Sequence, residues 1–169
     1  MRRTTMHAVK QRPKMPKPLS LPLRLIPQKA HGVILSSVLN RLFRNELLEG
    51  ELDFLQGRVV QIKVSDLGLG YNLTLTNGVI SEAGGMRVDL SITGSVYDYL
   101  LLISGKEDPD TLFFQRHLVM DGDTGLGVHL KNMLSAIELE QLPLPGDIRP
   151  YIERFIRVYE NLPYISART

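Results

Sequence analysis

The chain has 169 residues, 43% hydrophobic and 22% charged, with a formal net charge of +2 and no cysteine. That length supports one ordinary hydrophobic core and is short for two domains, and the composition argues against both a disordered chain and a membrane-embedded one. Without cysteine there is no disulfide, no thiolate nucleophile and no thiolate-held zinc or iron–sulfur cluster, which points to the cytosol.

The small net charge hides a division. Residues 1–30 carry eight Lys or Arg and no acid, leaving 12 basic against 18 acidic residues, a formal −6, in 31–169. Pro13, Pro16, Pro18, Pro22 and Pro27 break any long helix there, and the stretch has no clear signal-peptide core. Residues 1–30 therefore read as a basic, proline-rich leader. It is either flexible or a peripheral contact with the inner membrane in which "LSLPLRLIP" enters the interface beside anionic lipid. Nucleic acid fits poorly, because no aromatics interleave with the cations and the body is acidic. No apolar run approaches the roughly 20 residues of a membrane span.

A helix is expected over "HGVILSSVLNRLFRNELLEG", where Leu35, Val38, Leu39, Leu42 and Phe43 recur at helical spacing and Gly50 stands at the C′ position. In "GRVVQIKVSD", Val60, Ile62 and Val64 alternate with polar residues; in "LGYNLTLTNG", Leu69, Tyr71, Leu73 and Leu75 do the same. Both are half-buried strands. Asn77-Gly78 predicts a two-residue hairpin leading into a third strand, "VISEAG". A fourth follows in "MRVDLSITG", with Val88, Leu90 and Ile92 on one side.

Ser95 and Asp98 form a capping box before a short helix, and Asp108-Pro109 starts another through "DTLFFQ". Leu118 and Met120 mark a fifth strand. "GDTGLGVHLKNMLSAIE" then sets Leu126, Leu130, Met133, Leu134 and Ile137 in an apolar stripe, and a last helix sets Ile148, Tyr151, Ile152, Phe155 and Tyr159 on one face. Alternating strands mean a sheet with one wet face. The expected class is α+β: a five-stranded, largely antiparallel sheet with helices on one face. Domain limits are 31–143 for this body and 144–169 for a C-terminal amphipathic helix.

Chemistry is harder to find. Counted from Asp121, a calcium loop would need an oxygen ligand at Gly125, glycine at Leu126 and Glu at Asn132, so that reading fails. A phosphate loop fails because Gly127 is followed by Val128 rather than Lys. The remaining reading is a helix start capped by Asp123 or Thr124. His7, His31, His117 and His129 have no ligand spacing, and no serine sits in a nucleophile elbow. No catalytic, metal or cofactor residue is assigned, and the chain reads as a non-enzyme. The apolar stripes fit either a solid core or a hydrophobic tunnel between sheet and helices.

"DPDTLFFQRHLVMDGDTGLGVHLKNMLSAIELEQLP" and, upstream, "FRNELLEGELDFLQGRVVQIKVSDLGL" resemble the bacterial sterol-carrier-protein-type (SCP2-like) lipid-binding domains that serve as accessory factors in oxygen-independent ubiquinone biosynthesis. The resemblance spans roughly residues 32–143. It implies a lipid cavity, with ubiquinone, a polyprenylated precursor or phospholipid as ligand, and the anaerobic hydroxylation proteins UbiU and UbiV and other pathway proteins as partners. Periodicity then assigns the lining to Tyr71, Leu73, Val88, Leu90, Ile92 and Met120 from the strands. From the helices it takes Tyr99, Phe113, Leu126, Leu130, Met133 and Ile137. The alternative is a scaffold that gathers pathway enzymes around a solid core.

Overall fold

The computed structural model describes residues 28–136 and 149–161, without the side chains of 28–30 and 149. Most of the expected leader, Ile137 and Ile148 lie outside the described residues. Helix α1 runs Gln28–Leu42 and α2 Arg44–Leu48, followed by a 3-10 turn at Asp53–Leu55. The single helix expected here is thus broken at Phe43, whose backbone (φ −98°, ψ 28°) leaves the helical region. Strands β1 (Val59–Val64), β2 (Leu69–Thr76), β3 (Val79–Glu82) and β4 (Leu90–Gly94) come next. Helices α3 (Val96–Ile103) and α4 (Pro109–Phe114), strand β5 (Val119–Gly122), and helices α5 (Thr124–Ala136) and α6 (Arg149–Asn161) complete the described chain.

Local chemistry sets most of these boundaries. Asn77 and Gly78 both take positive φ (52° and 74°), the pair of left-handed residues that a type I′ hairpin needs between twisted strands. Ser95 and Asp98 form the reciprocal capping box of α3, and the Asp108 carboxylate accepts the Thr111 N–H at 3.0 Å ahead of Pro109 at the start of α4. Asp123 caps α5 by accepting the Leu126 N–H at 3.0 Å. This bond, helped by the nearby Arg58 charge, holds the Asp123 carboxyl below the usual range. Gly122, at φ +129°, brings β5 against β4 so closely that a Cβ there would strike the Asp89 carbonyl oxygen.

The sheet order is β3-β2-β1-β4-β5, with three antiparallel pairings and one parallel pairing, β1 with β4. The parallel pair needs no helical crossover because the strands are staggered. Glu82 ends β3 opposite Leu73, Leu73 faces Val60, and Leu90 begins β4 opposite that same Val60. Residues 83–89 therefore only cross the end of the sheet. Strand β4 accordingly starts at Leu90, not at the expected Met86, and Val88 belongs to the crossing segment.

Val60, Ile62, Tyr71, Leu73 and Ile92 share the inner face, whereas the outer face carries Gln61, Lys63, Asn72, Thr74 and Thr93. Helix α1 packs chiefly on the edge strand β3, and α5 packs on β5 at the opposite edge. Asn40 fixes the first of these contacts. Its side-chain amide donates to the Ile80 carbonyl at 2.7 Å while its oxygen accepts the Ile80 N–H at 2.8 Å. One side chain thus satisfies both backbone groups of an edge residue that would otherwise stay open.

The last helix departs from expectation. Its buried face is Ile152, Ile156 and Tyr159, while Tyr151 is 68% exposed and Phe155 48%. Docking against α3, with the Tyr97 and Tyr159 rings 5.8 Å apart, selects the i, i+4, i+7 row through Ile156 and turns the Tyr151–Phe155 row outward.

Asn40→Ala should lower unfolding free energy by about 2 kcal/mol, the cost of leaving a backbone donor and acceptor without partners. The shift in urea midpoint at unchanged m-value measures it. A change within error would mean that water replaces the clasp without loss.

An apolar cavity between sheet and helices

Between the inner face of the sheet and the helices lies a cavity of about 360 Å³. That is within the roughly 300–1,000 Å³ of small-molecule pockets. Its floor is Val60, Ile62 and Val64 of β1, flanked by Tyr71, Leu73 and Leu75 of β2, Ile80 of β3 and Ile92 of β4. Leu35, Val38, Leu39 and Leu42 of α1 form one wall. Tyr99, Leu100 and Ile103 of α3, Phe113 of α4, and Leu130, Met133 and Leu134 of α5 form the other. Val60, Ile62 and Val64 lie on the central strand yet are only half-buried, because their side chains end at open space and not at a helix.

The polar groups at this wall are few. Arg58 contributes at the rim, with its guanidinium 3.3 Å from Asp89 and 3.6 Å from Asp123. The Tyr99 hydroxyl donates to the Ile92 carbonyl at 2.9 Å, with the Lys63 carbonyl at 3.2 Å. Burial, reinforced by the Asp98 charge, pushes the Tyr99 phenol well above its ordinary pKa, so it remains neutral and occupied. The Tyr71 hydroxyl lies 3.3 Å from His31 Nδ1, and burial raises its pKa as well. Such a wall can hold a long apolar molecule. Among the described residues no group of three or more His, Asp or Glu is placed to hold a metal ion.

Of the residues assigned from periodicity, Tyr71, Leu73, Ile92, Tyr99, Phe113, Leu130 and Met133 come together on this wall. Leu90, Met120 and Leu126 do not line it. Leu90 and Met120 have the expected face but sit under the first turn of α5, where a Cβ on Gly127 would lie 3.5 Å from Leu90 and 3.6 Å from Met120. Leu126 is buried in that packed end. Val88 lies before β4 in the crossing segment, and Ile137 is outside the described residues. The periodicity missed the α1 wall and the β1 floor as cavity residues. Their apolar positions were legible, but which strand would be central was not.

The sequence matches the profile of the SCP-2 sterol transfer family over residues 38–135. The chain belongs to this family. It is 43% identical over 128 residues to the ubiquinone biosynthesis accessory factor UbiT of Escherichia coli (strain K12), covering 76% of this chain and 74% of that one. UbiT of Escherichia coli O157:H7 gives the same identity and coverage. Among solved structures, "UbiJ-SCP2 Ubiquinone synthesis protein" superposes with a TM-score of 0.50 at 17% identity, covering 72% of this chain and 94% of that one. That likeness concerns the fold. No described helix of this SCP-2 family chain is long and apolar enough to cross a membrane.

If the floor faces open space, Ile62→Ala should cost less than about 1 kcal/mol, since it deletes few contacts. Leu112→Ala, at a residue 0% exposed, should cost about 2–5 kcal/mol. Equal losses in chemical denaturation would mean that the floor is packed core.

Proposed function

We propose that this chain is a non-catalytic lipid-binding accessory protein of oxygen-independent ubiquinone biosynthesis, holding ubiquinone or a polyprenylated precursor in the cavity. The carrying observation is a carbon-lined space over the sheet's central strand in a chain 43% identical to UbiT. A prenyl tail loses about 0.8 kcal/mol of hydrophobic stabilisation per CH₂-sized unit left in water, so the intermediates of such a pathway need a membrane or a protein shelter. Tyr71, Leu73, Ile92, Tyr99, Phe113, Leu130 and Met133 are the ligand contacts of this reading, joined by the floor residues Val60, Ile62 and Val64. UbiU, UbiV and other pathway proteins are its proposed partners. Residues 1–30 are its proposed membrane contact, with the lipid domain ending near residue 143. Phospholipid as ligand, or a scaffold that uses no ligand, are the competing outcomes.

Solvent extraction of mildly purified protein followed by lipid mass spectrometry should yield a quinone or polyprenyl phenol near one per chain. Ile62→Trp, which fills the floor without disturbing the caps or the Asn40 clasp, should keep the melting temperature within a few degrees and lose that lipid. Phospholipid alone would leave a lipid carrier with a different cargo. A folded, empty protein that also takes up no added ubiquinone would overturn the cavity reading in favour of the scaffold.

A further inference from the structure

Helix α6 carries more apolar surface than its seat on the body uses. At about 3.6 residues per turn, Val158, Tyr151, Phe155, Tyr159, Ile152 and Ile156 follow one another round the helix as one continuous arc of roughly 160°. A stripe of about 100° is enough to dock a surface helix on a core. Ile152, Ile156 and Tyr159 do that here, buried against α3. The rest of the arc, Tyr151, Phe155 and Val158, lies open, each at least 48% exposed.

Charge is divided round the same helix. Arg154 borders the open row and Arg157 follows it, both exposed and both on the side turned away from α3. The acids Glu153 and Glu160 lie past Ile156 on the other border, and Glu160 is held beside α3 by the Tyr97 hydroxyl, which donates to its carboxylate at 3.2 Å. Aromatic and aliphatic side chains with arginines alongside, and carboxylates kept to the far flank, suit an anionic membrane interface. A second copy fits less well. Packed antiparallel on this row, it would bring the two Arg154 side chains together near the midpoint, a like-charge contact.

We propose that the outer row of α6 is a membrane-docking face, in which Tyr151, Phe155 and Val158 enter the interface of an anionic bilayer and Arg154 and Arg157 meet its phosphates. The proposal stands apart from the identity of the cavity's cargo. Position gives the face a use, because α3 lies between α6 and the cavity: its Tyr97 meets Tyr159, while its Tyr99, Leu100 and Ile103 line the wall. A bilayer under α6 is therefore about one helix diameter, roughly 10 Å, from that wall.

The chain has no tryptophan, so Phe155→Trp places a single indole on the proposed face of the full-length protein. Vesicles of equal parts phosphatidylcholine and phosphatidylglycerol should shift its emission to the blue, and the same vesicles with brominated acyl chains should quench it. An indole introduced instead by Val119→Trp, on the outer face of the sheet, should show neither effect. Residues 1–30 carry eight cations of their own and can draw the chain to the same vesicles, so the depth of the indole decides, not sedimentation. Adding Arg154→Ala and Arg157→Ala to Phe155→Trp should weaken the vesicle affinity read by that indole roughly 10- to 30-fold, with melting unchanged. An indole that stays in water on sedimented vesicles would overturn the proposal and leave the row to a protein partner, and a protein that binds no vesicle would overturn it outright. A blue shift that grows with protein concentration in the absence of lipid would give the row to a second copy instead. An affinity unmoved by loss of both arginines would overturn the charge argument and with it the choice of an anionic bilayer.

Discussion

The two-point clasp of Asn40 on Ile80 holds helix α1 over the edge of the sheet, away from its centre. Much else follows from that offset. A helix lying squarely over β1 would bury Val60, Ile62 and Val64 and give the solid two-layer core usual for this class. Here α1 is tied to β3, and α5 is drawn onto β5 at the other edge, where its first turn, at Gly127, lies over Leu90 and Met120. Two helices at the margins cannot also cover the middle, so the most apolar strand of the sheet faces space.

That arrangement explains why the interior divides into two buried clusters. One lies under α3, α5 and α6 around Leu90, Leu112, Leu118 and Ile156; the other, around Leu52, Leu73, Leu75 and Ile80, lies under α1. Leu39, Phe43, Phe54, Leu55 and Met133 are partly buried and touch both. These two clusters supply packing stability at the flanks and allow the space between them to persist without a dense filling. An apolar ligand entering it exchanges bulk water for carbon on its own surface, the transfer that drives apolar burial.

Much of the fold was legible because it is written in local chemistry. The period-2 rows of β1 and β2, the Asn77-Gly78 turn, the Ser95–Asp98 box and the Asp108-Pro109 start each involve residues within a few positions of one another. The glycine-rich stretch before α5, which invites a metal or phosphate reading, resolves into a cap by Asp123 and a close approach at Gly122. What depends on partners distant in sequence was not legible. The parallel pairing of β1 with β4 made β1 the cavity floor, and the stagger of β3 against β4 turned Val88 into a crossing residue. Periodicity gave Leu90 and Met120 the right face but could not place them along the sheet, so it put them in the cavity and not under α5. On α6, docking on Tyr97 selected one of two apolar rows that the sequence offers almost equally.

The space over β1 is the hinge of this reading, and methyl NMR addresses it directly. With Ile, Leu and Val methyls labelled and a decyl benzoquinone added, intermolecular NOEs should appear at Ile62, Val64, Ile92 and Leu130 and be absent at Val119, on the outer face of the sheet. Contacts confined to exposed methyls such as Val119, or none from the floor residues at saturating ligand, would contradict a lipid site between sheet and helices.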